Sequence, residues 1–558
     1  MNRPQKPNLS SDRRSGKQSR AASQTSHAAS LSSHGSSMAH STLLMMIGLT
    51  LSKLTGQLRE ILIPPVLGYG TVSDAFIIGF QIPDLFYQLL IGGAIQAAIT
   101  PTLAAALEQK QEKQGWRSIS IFLNLATIIM IVAVLAGELL SPYLIRLYGS
   151  SDSQATTELA VRVTRALFPQ VVFMMLAAFC IGILNAYKKF SSTSFGPSFY
   201  NICVILAMVM LGAKTADGAV RVAYGVMVAA LAYFLLQFVL ARREFSSYAW
   251  SLDYRDSGFR RLVHLAVPTL ISGSIIQVNM IVLTAFANHY FQAGVVTSLR
   301  NAMTIWQLPY GIIAVAIGNV MLPSLARFVA AHDRSASRRL YTKSLRNALY
   351  LTIPMAALIL AMPDDVVRAI FQWNADYSEV AVQTTSTVLR WYCLAMVAQT
   401  MIFVTNQAFY ARKITRIALF NGLLTLFLNT LFCLALMSWA KLGVGSLSLA
   451  YTLTSVISSV LLYLIYSRGL PGSAPKRIWP FLVRCSLCVS ALIMALIGLN
   501  LIPFSPDGKL LQLAWLGLRA LVGFAVYLGA SYLLHMPEGR GFVDKSTKLI
   551  RKLVHRRS

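Results

Sequence analysis

The feature that most constrains this chain is a succession of apolar runs, each about as long as a bilayer is thick. A helix needs about 20 mostly apolar residues to cross the hydrocarbon core. Runs of that kind lie near 42–66, 72–104, 118–146, 158–187, 194–213, 218–241, 261–288, 297–326, 342–363, 378–410, 416–440, 442–467, 478–503 and 511–536. Inside lipid every backbone N–H and C=O must be satisfied within the structure itself, and a helix does this segment by segment. Fourteen runs therefore predict an all-α polytopic membrane protein of about 14 transmembrane helices. Only 13% of the 558 residues are Asp, Glu, Lys or Arg, against about 25% in soluble domains. That deficit excludes a disordered chain and an ordinary multidomain cytosolic enzyme.

The charges that remain are lopsided, 49 Lys and Arg against 21 Asp and Glu, for a net +28. A basic balance often signals nucleic acid. Here the mean hydropathy is +0.58, the basic residues lie between the apolar runs, and no nucleic-acid partner is expected. They also alternate. Lys110, Lys113 and Arg117, then Lys188 and Lys189, then Arg242, Arg243, Arg255 and Arg260 follow even-numbered runs. So do Arg327, Arg334, Arg338 and Arg339, then Arg412 and Lys413, then Lys476 and Arg477. The connections 67–71 and 289–296 carry no Lys or Arg. Cytoplasmic loops hold the excess of Lys and Arg, so both termini are expected in the cytoplasm, as an even count of spans requires. Residues 1–40, Ser-rich and basic, read as a disordered cytoplasmic tail, and 538–558 as a second basic tail. Juxtamembrane Lys and Arg attract anionic membrane lipids, which accounts for the tails without a special function.

Two stretches of the chain resemble each other. Gln81-Ile82-Pro83 with Pro101-Thr102-Leu103-Ala104 matches Gln307-Leu308-Pro309 with Pro323-Ser324-Leu325-Ala326. Asn185-Ala186-Tyr187 matches Gln407-Ala408-Phe409, and Phe199-Tyr200-Asn201 matches Leu419-Phe420-Asn421. The offset stays between 220 and 226 residues in the same run order. A repeat of six spans, an even number, enters the membrane twice in the same direction, so the two copies form a parallel repeat with a path between them. The expected organisation is an N-lobe at 41–243, a linker at 244–260, a C-lobe at 261–468, two further spans within 469–537, and the tail.

Charges inside membrane spans are costly and mark function more often than elsewhere. Run 1 carries Lys53, Arg59 and Glu60 around Gly56; run 2 carries Asp74, and Asp84 after Pro83; run 8 carries Arg300. Arg165 lies on one face of run 4 with Arg162. Each has a plainer reading. Arg162, Arg484 and Arg519 suit snorkelling to the headgroups, Arg59 and Glu60 suit a structural pair, and Asp74 suits a cap on run 2. Lys53 lies too deep for snorkelling. Lys and Arg gathered in a cavity suit an anionic cargo, above all a phosphate or pyrophosphate, which Arg grips with two parallel hydrogen bonds. The long runs 2 and 8 are expected to kink at Pro83 and Pro309, with Gly56, Pro83 and Pro309 as hinges. No phosphate-binding G-x-x-x-x-G-K-[ST] motif and no metal-ligand spacing occur, so no enzyme, cofactor or metal is expected. The six cysteines lie in apolar runs and read as buried thiols, Cys485-x-x-Cys488 included.

Several of these residues form longer motifs. Ser52-Lys53-Leu54-Thr55-Gly56-Gln57-Leu58-Arg59-Glu60, Gly68-Tyr69-Gly70, Ser73-Asp74-Ala75-Phe76, Phe80-Gln81-Ile82-Pro83-Asp84-Leu85, Gly93-Ala94 and Pro101 resemble the opening of the MurJ/MviN lipid II flippases. Leu167-Phe168-Pro169 behind Arg165, Ile183-Leu184-Asn185-Ala186-Tyr187, Leu322-Pro323-Ser324-Leu325 and Phe409-Tyr410-Ala411-Arg412 are similar to later parts of that family. The resemblance covers runs 1 to 12. It implies the two six-span lobes of the multidrug/oligosaccharidyl-lipid/polysaccharide exporter superfamily. It also implies translocation of a lipid-linked peptidoglycan precursor across the bacterial cell membrane by alternating access, with a cationic cavity holding the pyrophosphate. Arg59 matches a family cavity arginine, Lys53 occupies the place of another, and Asp74 and Glu60 match acidic positions. Gln81, Asp84, Gln88 and Thr304 are secondary candidates. The family's run-2 arginine falls at Tyr87 or Gln88, and its run-8 arginine at Thr304, one turn from Arg300 on the same face. The polar stretch after Arg412 is shortened to Lys413-Ile414-Thr415-Arg416.

The implied partners are a lipid-linked anionic substrate, membrane lipids and a coupling cation, with a monomer sufficient for the lobes. Three readings stay open at this point: a lipid II flippase, an exporter of another lipid-linked saccharide or a cation-coupled drug, and a non-transporting scaffold for cell-wall synthesis.

Overall fold

A computed structural model describes residues 48, 50–91, 94–147, 154–189, 193–373, 377–439, 443–468, 478–501 and 508–540, the side chains of 88–91, 94–98, 147, 265–276, 415 and 439 apart. The tail expected at 1–40 lies outside that set, as does the tail expected at 538–558 apart from 538–540. Where they are described, the apolar runs of the sequence fall largely on helix. Among the described residues ten helices are long and apolar enough to cross a membrane, and the chain is a membrane protein built from helices.

In chain order the α-helices, short ones included, are α1 (50–61), α2 (Ile63–Leu67), α3 (Thr71–Ile91), α4 (Ala94–Glu108), α5 (Glu112–Leu147), α6 (Gln154–Ala186), α7 (Gly196–Leu211) and α8 (Ala216–Ala241). They continue with α9 (Ser257–Tyr290), α10 (Val295–Tyr310), α11 (Ala316–Ala330), α12 (Arg334–Ala361), α13 (Pro363–Phe371), α14 (Glu379–Ala411), α15 (Thr415–Trp439), α16 (Gly445–Arg468), α17 (Trp479–Asn500) and α18 (Lys509–Leu533). Thr215, Asp256, Asp333 and Ser378 cap α8, α9, α12 and α14 by accepting from backbone N–H groups, as short polar side chains do at helix starts.

The internal repeat reappears in the packing. The helix pairs α3–α6, α6–α8, α7–α8 and α5–α6 of the first half have counterparts α10–α14, α14–α16, α15–α16 and α12–α14 in the second. Close approach in the first half depends on small residues. Thr164 Oγ1 donates to the Gly79 carbonyl at 3.1 Å, and a Cβ at Gly79 would run into Val163 and the Ala160 carbonyl. Helix α6 is the most enclosed span and carries a buried face from Leu159 to Ala186.

The halves meet along α9 and α10, which pack on α3, with α9 also against α4 and α5. The segment between the halves is anchored. Ser118 donates to Asp256 at 2.7 Å, Asn124 to the Ser251 carbonyl at 2.9 Å, and Tyr248 to Asn124 at 2.6 Å. Helices α17 and α18 pair with each other and lean on α12, with α18 also on α13. Arg519, read from sequence as snorkelling, is instead buried, donating to Asp365 at 2.6 Å and to Asn500 at 2.5 Å.

The two prolines expected to kink their runs act differently. Helix α3 continues through Pro83 to Ile91. Two residues after Pro309 the backbone enters a π turn, Gly311–Val315, before α11 resumes. Proline removes one backbone donor and pushes its ring at the preceding turn, and a π turn is one way a helix absorbs this. Cys485 and Cys488 are buried free thiols.

Candidate functional site

Helix α1 brings Arg59 and Glu60 to the junction of the halves, and α10 brings Arg300 to meet them. Arg300 grips Glu60 with both arms, Nε to Oε2 at 2.7 Å and Nη2 to Oε1 at 3.0 Å. Arg59 Nη2 donates to the same carboxylate at 2.7 Å. One acidic side chain, 13% exposed, thus holds a guanidinium from each half. Such bidentate, charge-assisted bonds are the strong ones. Arg59 also lies 5.8 Å from the Phe80 ring centre and donates to Asn201 at 3.4 Å. Asn201 in turn donates to the Ser52 carbonyl at 3.3 Å, fixing α7 against α1.

The pocket around this triad is lined by Arg59, Glu60, Phe80, Gln81, Asp84 and Arg300, with apolar walls from α7 and α8. Gln81 donates to Thr284 at 2.9 Å, and Asp84 accepts from Gln277 at 3.0 Å. These bonds run from α3 to α9, so polar rungs join the two halves below the triad. Formally the pocket has two guanidiniums and two carboxylates.

A second polar cluster closes one end. Asp74, 2% exposed, accepts from the Gly294 amide at 2.5 Å, from the Thr297 amide at 2.8 Å and from the Thr297 hydroxyl. It therefore caps α10 across the junction, and not its own helix as one sequence reading had it. Three donors, two of them the orphan amides at a helix start, suit a carboxylate well. Ser73 bonds Thr297 at 2.8 Å and Tyr69 bonds Ser298 at 2.8 Å. Tyr377 extends the cluster, edge-on to Tyr69 at 5.3 Å between ring centres and bonded to Thr385 at 2.6 Å. Gly294 starts α10 with φ +99, a conformation that glycine adopts without strain. A Cβ there would collide with the Tyr69 ring.

The structure thus brings together Arg59, Glu60, Arg300, Gln81 and Asp84, and sets Asp74 about one turn away along α10. Lys53 is exposed, away from the triad, and makes no ion pair among the described residues. Arg165 is exposed and turned toward α5, donating to Ser141 at 3.1 Å and the Glu138 carbonyl at 3.3 Å. Thr304 is buried and spends its hydroxyl on the Arg300 carbonyl at 3.0 Å. The Gln88 side chain lies outside the described residues. Gly56 faces the Asn201 amide, 3.3 Å from where a Cβ would sit. Sequence reasoning, intent on charges, passed over Thr284, Gln277, Thr297 and Ser298. The only signal for Asn201 was its place in the internal repeat.

The model of the family described as lipid II flippase MurJ matches residues 63–516. A probable lipid II flippase MurJ of Rhizobium meliloti is 28% identical over 519 residues, covering 90% of this chain and 94% of that one. Its counterpart in Treponema pallidum is 27% identical over 445 residues, 78% and 83% of the two chains. Among solved structures, a lipid II flippase MurJ in an inward closed conformation superposes with TM-score 0.73 at 21% identity, covering 88% of this chain and 99% of that one. An inward-facing multidrug resistance transporter of the MATE family and MOP superfamily gives 0.68 at 14% identity, with 77% and 97% covered. The matched stretch takes in α2 to α17 and part of α18, including the α3, α9 and α10 sides of the junction and most of both halves, and the chain belongs to the lipid II flippase MurJ family.

Proposed function

We propose that this protein moves lipid II, a lipid-linked peptidoglycan precursor, from the inner to the outer leaflet of the bacterial cytoplasmic membrane by alternating access. The two six-helix halves act as lobes, both termini face the cytoplasm, and the chain is a transporter with no catalytic step of its own. The observation that carries this reading is the Glu60 carboxylate held by Arg59 of α1 and Arg300 of α10. A phosphate presents oxygens to guanidinium N–H groups in the same forked geometry as a carboxylate. Glu60 therefore occupies the place that a pyrophosphate oxygen pair would take, and the cargo binds by exchanging with it. That exchange keeps both arginines paired with and without cargo, so neither is left as a bare charge in a low-dielectric pocket.

The alternation of Lys and Arg along the loops supports placing the Asp74–Thr297 cluster at the outer end. In that orientation the described state is closed outward. Opening that end breaks the Asp74, Ser73 and Tyr69 bonds to α10 together, so the lobes separate as rigid bodies hinged near the π turn. Lys53, exposed and unpaired on the same helix as Arg59, suits the first contact with an incoming anion, and Arg165 suits a support for α6 against α5.

Complementation tests this directly. In a bacterium depleted of its own flippase, the wild-type chain restores growth, and Arg59→Ala and Arg300→Ala each fail to, at unchanged membrane levels. Growth restored by an Arg59→Ala/Arg300→Ala double variant would remove the site from the proposal.

A further inference from the structure

A second cationic pocket lies far from the junction, where the C-terminal helix pair meets the second half. It has a volume of about 300 Å³ and is walled by α12, α16, the start of α17 and the segment after α18. Its lining carries Arg338, Arg339, Lys343 and Arg346 against one carboxylate, Glu538. Arg346 is ion-paired with Glu538, 2.7 Å away, with Nη2 donating to it at 3.3 Å and its guanidinium 4.9 Å from the Phe481 ring centre. Arg338, Arg339 and Lys343 make no ion pair among the described residues, and Arg338 Nε is buried without a hydrogen-bond partner. Asp333, at the start of the same helix, is taken up by the Ala336 amide and Ser335 as the cap of α12.

Arg339 and Lys343 are four residues apart on α12, so their like charges repel across one turn. An unpaired donor in a half-buried guanidinium is also costly. Both costs fall when an anion with several acceptor oxygens enters. Leu345, Tyr341, Tyr463, Ile478 and Pro537 give the pocket apolar or amphipathic walls beside the polar Thr342, Asn347 and Ser467. Beside Ile478, Trp479 is 69% exposed, as tryptophans are at the depth of the headgroups. Arg338 and Arg339 follow the even-numbered run 8, and Lys343 and Arg346 open run 9, at the end expected on the cytoplasmic side.

We propose that this pocket binds the phosphate of an anionic phospholipid from the cytoplasmic leaflet, clasping α17 and α18 to the second half. Basic pockets between transmembrane helices on that side suit such headgroups. A phosphate group is the shared chemistry of lipid and free ion. The amphipathic walls and the adjoining interfacial tryptophan favour the lipid, whose glycerol and acyl chains continue into the bilayer.

The test uses the full-length protein in neutral detergent, with thermal unfolding followed as phosphatidylglycerol, phosphatidylcholine or inorganic phosphate is added. Phosphatidylglycerol is expected to raise the midpoint and phosphatidylcholine to leave it unchanged. Arg339→Gln/Lys343→Gln, at exposed positions, should keep the wild-type midpoint in phosphatidylcholine and lose roughly 10- to 30-fold in apparent phosphatidylglycerol affinity. Arg338→Gln is the second variant, with a loss in the same direction. A midpoint raised equally by inorganic phosphate at millimolar concentration would assign the pocket to soluble phosphate and overturn the lipid source. Equal phosphatidylglycerol affinity in wild type and both variants would overturn the site.

Discussion

At the residue scale, what matters is which charges find each other. Glu60 accepts three hydrogen bonds from two arginines, whereas Lys53 accepts no part in the cluster. Hydrogen bonds to charged groups contribute about 1.5–3 kcal/mol each where they are well formed, and partial exposure of Arg300 discounts this. A double-mutant cycle between Glu60→Gln and Arg300→Gln, read by thermal unfolding in detergent, is therefore expected to give a coupling of about 1–3 kcal/mol. The same cycle between Glu60→Gln and Lys53→Gln should lie within about 0.5 kcal/mol of zero. A coupling of the second pair as large as the first would place Lys53 in the triad. The charged residues themselves were legible in the sequence, because lipid makes an intramembrane charge conspicuous. Their partners were not. Pairing depends on which turn of one helix faces which turn of another across more than two hundred residues of chain. Arg519 shows the same limit: near a helix end it looks like a snorkelling residue, and only the fold brings Asp365 to it.

At the scale of elements, α10 ties the two halves together, through α3 on one side and through its own half on the other. Its start is capped from the other half by Asp74, and its end runs into the π turn after Pro309. Replacing Gly294 by Ala forces a strained φ and a collision with Tyr69, and replacing Asp74 by Ala removes the cap. A lost cap costs about 0.5–2 kcal/mol. Both variants are expected to loosen the outer end. A cysteine placed at Ser73 should then react at least several-fold faster with a membrane-impermeant thiol reagent added from outside than it does in the Ser73→Cys parent. Unchanged labelling in both backgrounds would mean that this contact does not seal the path. Sequence periodicity located the helices well, since their apolar length is set by the bilayer. It missed α13, nine residues long and too short to register as a span. The two intramembrane prolines also have different outcomes: α3 continues through Pro83, whereas a π turn follows Pro309. Proline in a helix has several ways to be accommodated, and the residue alone does not choose among them.

For the whole molecule, the repeat read from three short matches became two sets of helices with equivalent neighbours. The family model spans most of that repeat. The two halves touch through a ladder of polar rungs, Asp74–Thr297, Glu60–Arg300, Gln81–Thr284 and Asp84–Gln277. Polar bonds of this kind suit a junction that must open and re-form, because water or cargo replaces each partner at modest cost. The net charge of +28 belongs mostly to loops and tails, and the charges that bear on cargo are few. The most direct measurement follows labelled lipid II in cells depleted of their own flippase and carrying this chain. Exposure of the label on the outer leaflet is read with a membrane-impermeant lipid II-binding probe. The wild-type chain should restore exposure, and Arg59→Ala/Arg300→Ala should abolish it while remaining in the membrane. Exposure at the wild-type rate in that variant, or none from the wild-type chain itself, would contradict the proposed transport through the Glu60 site.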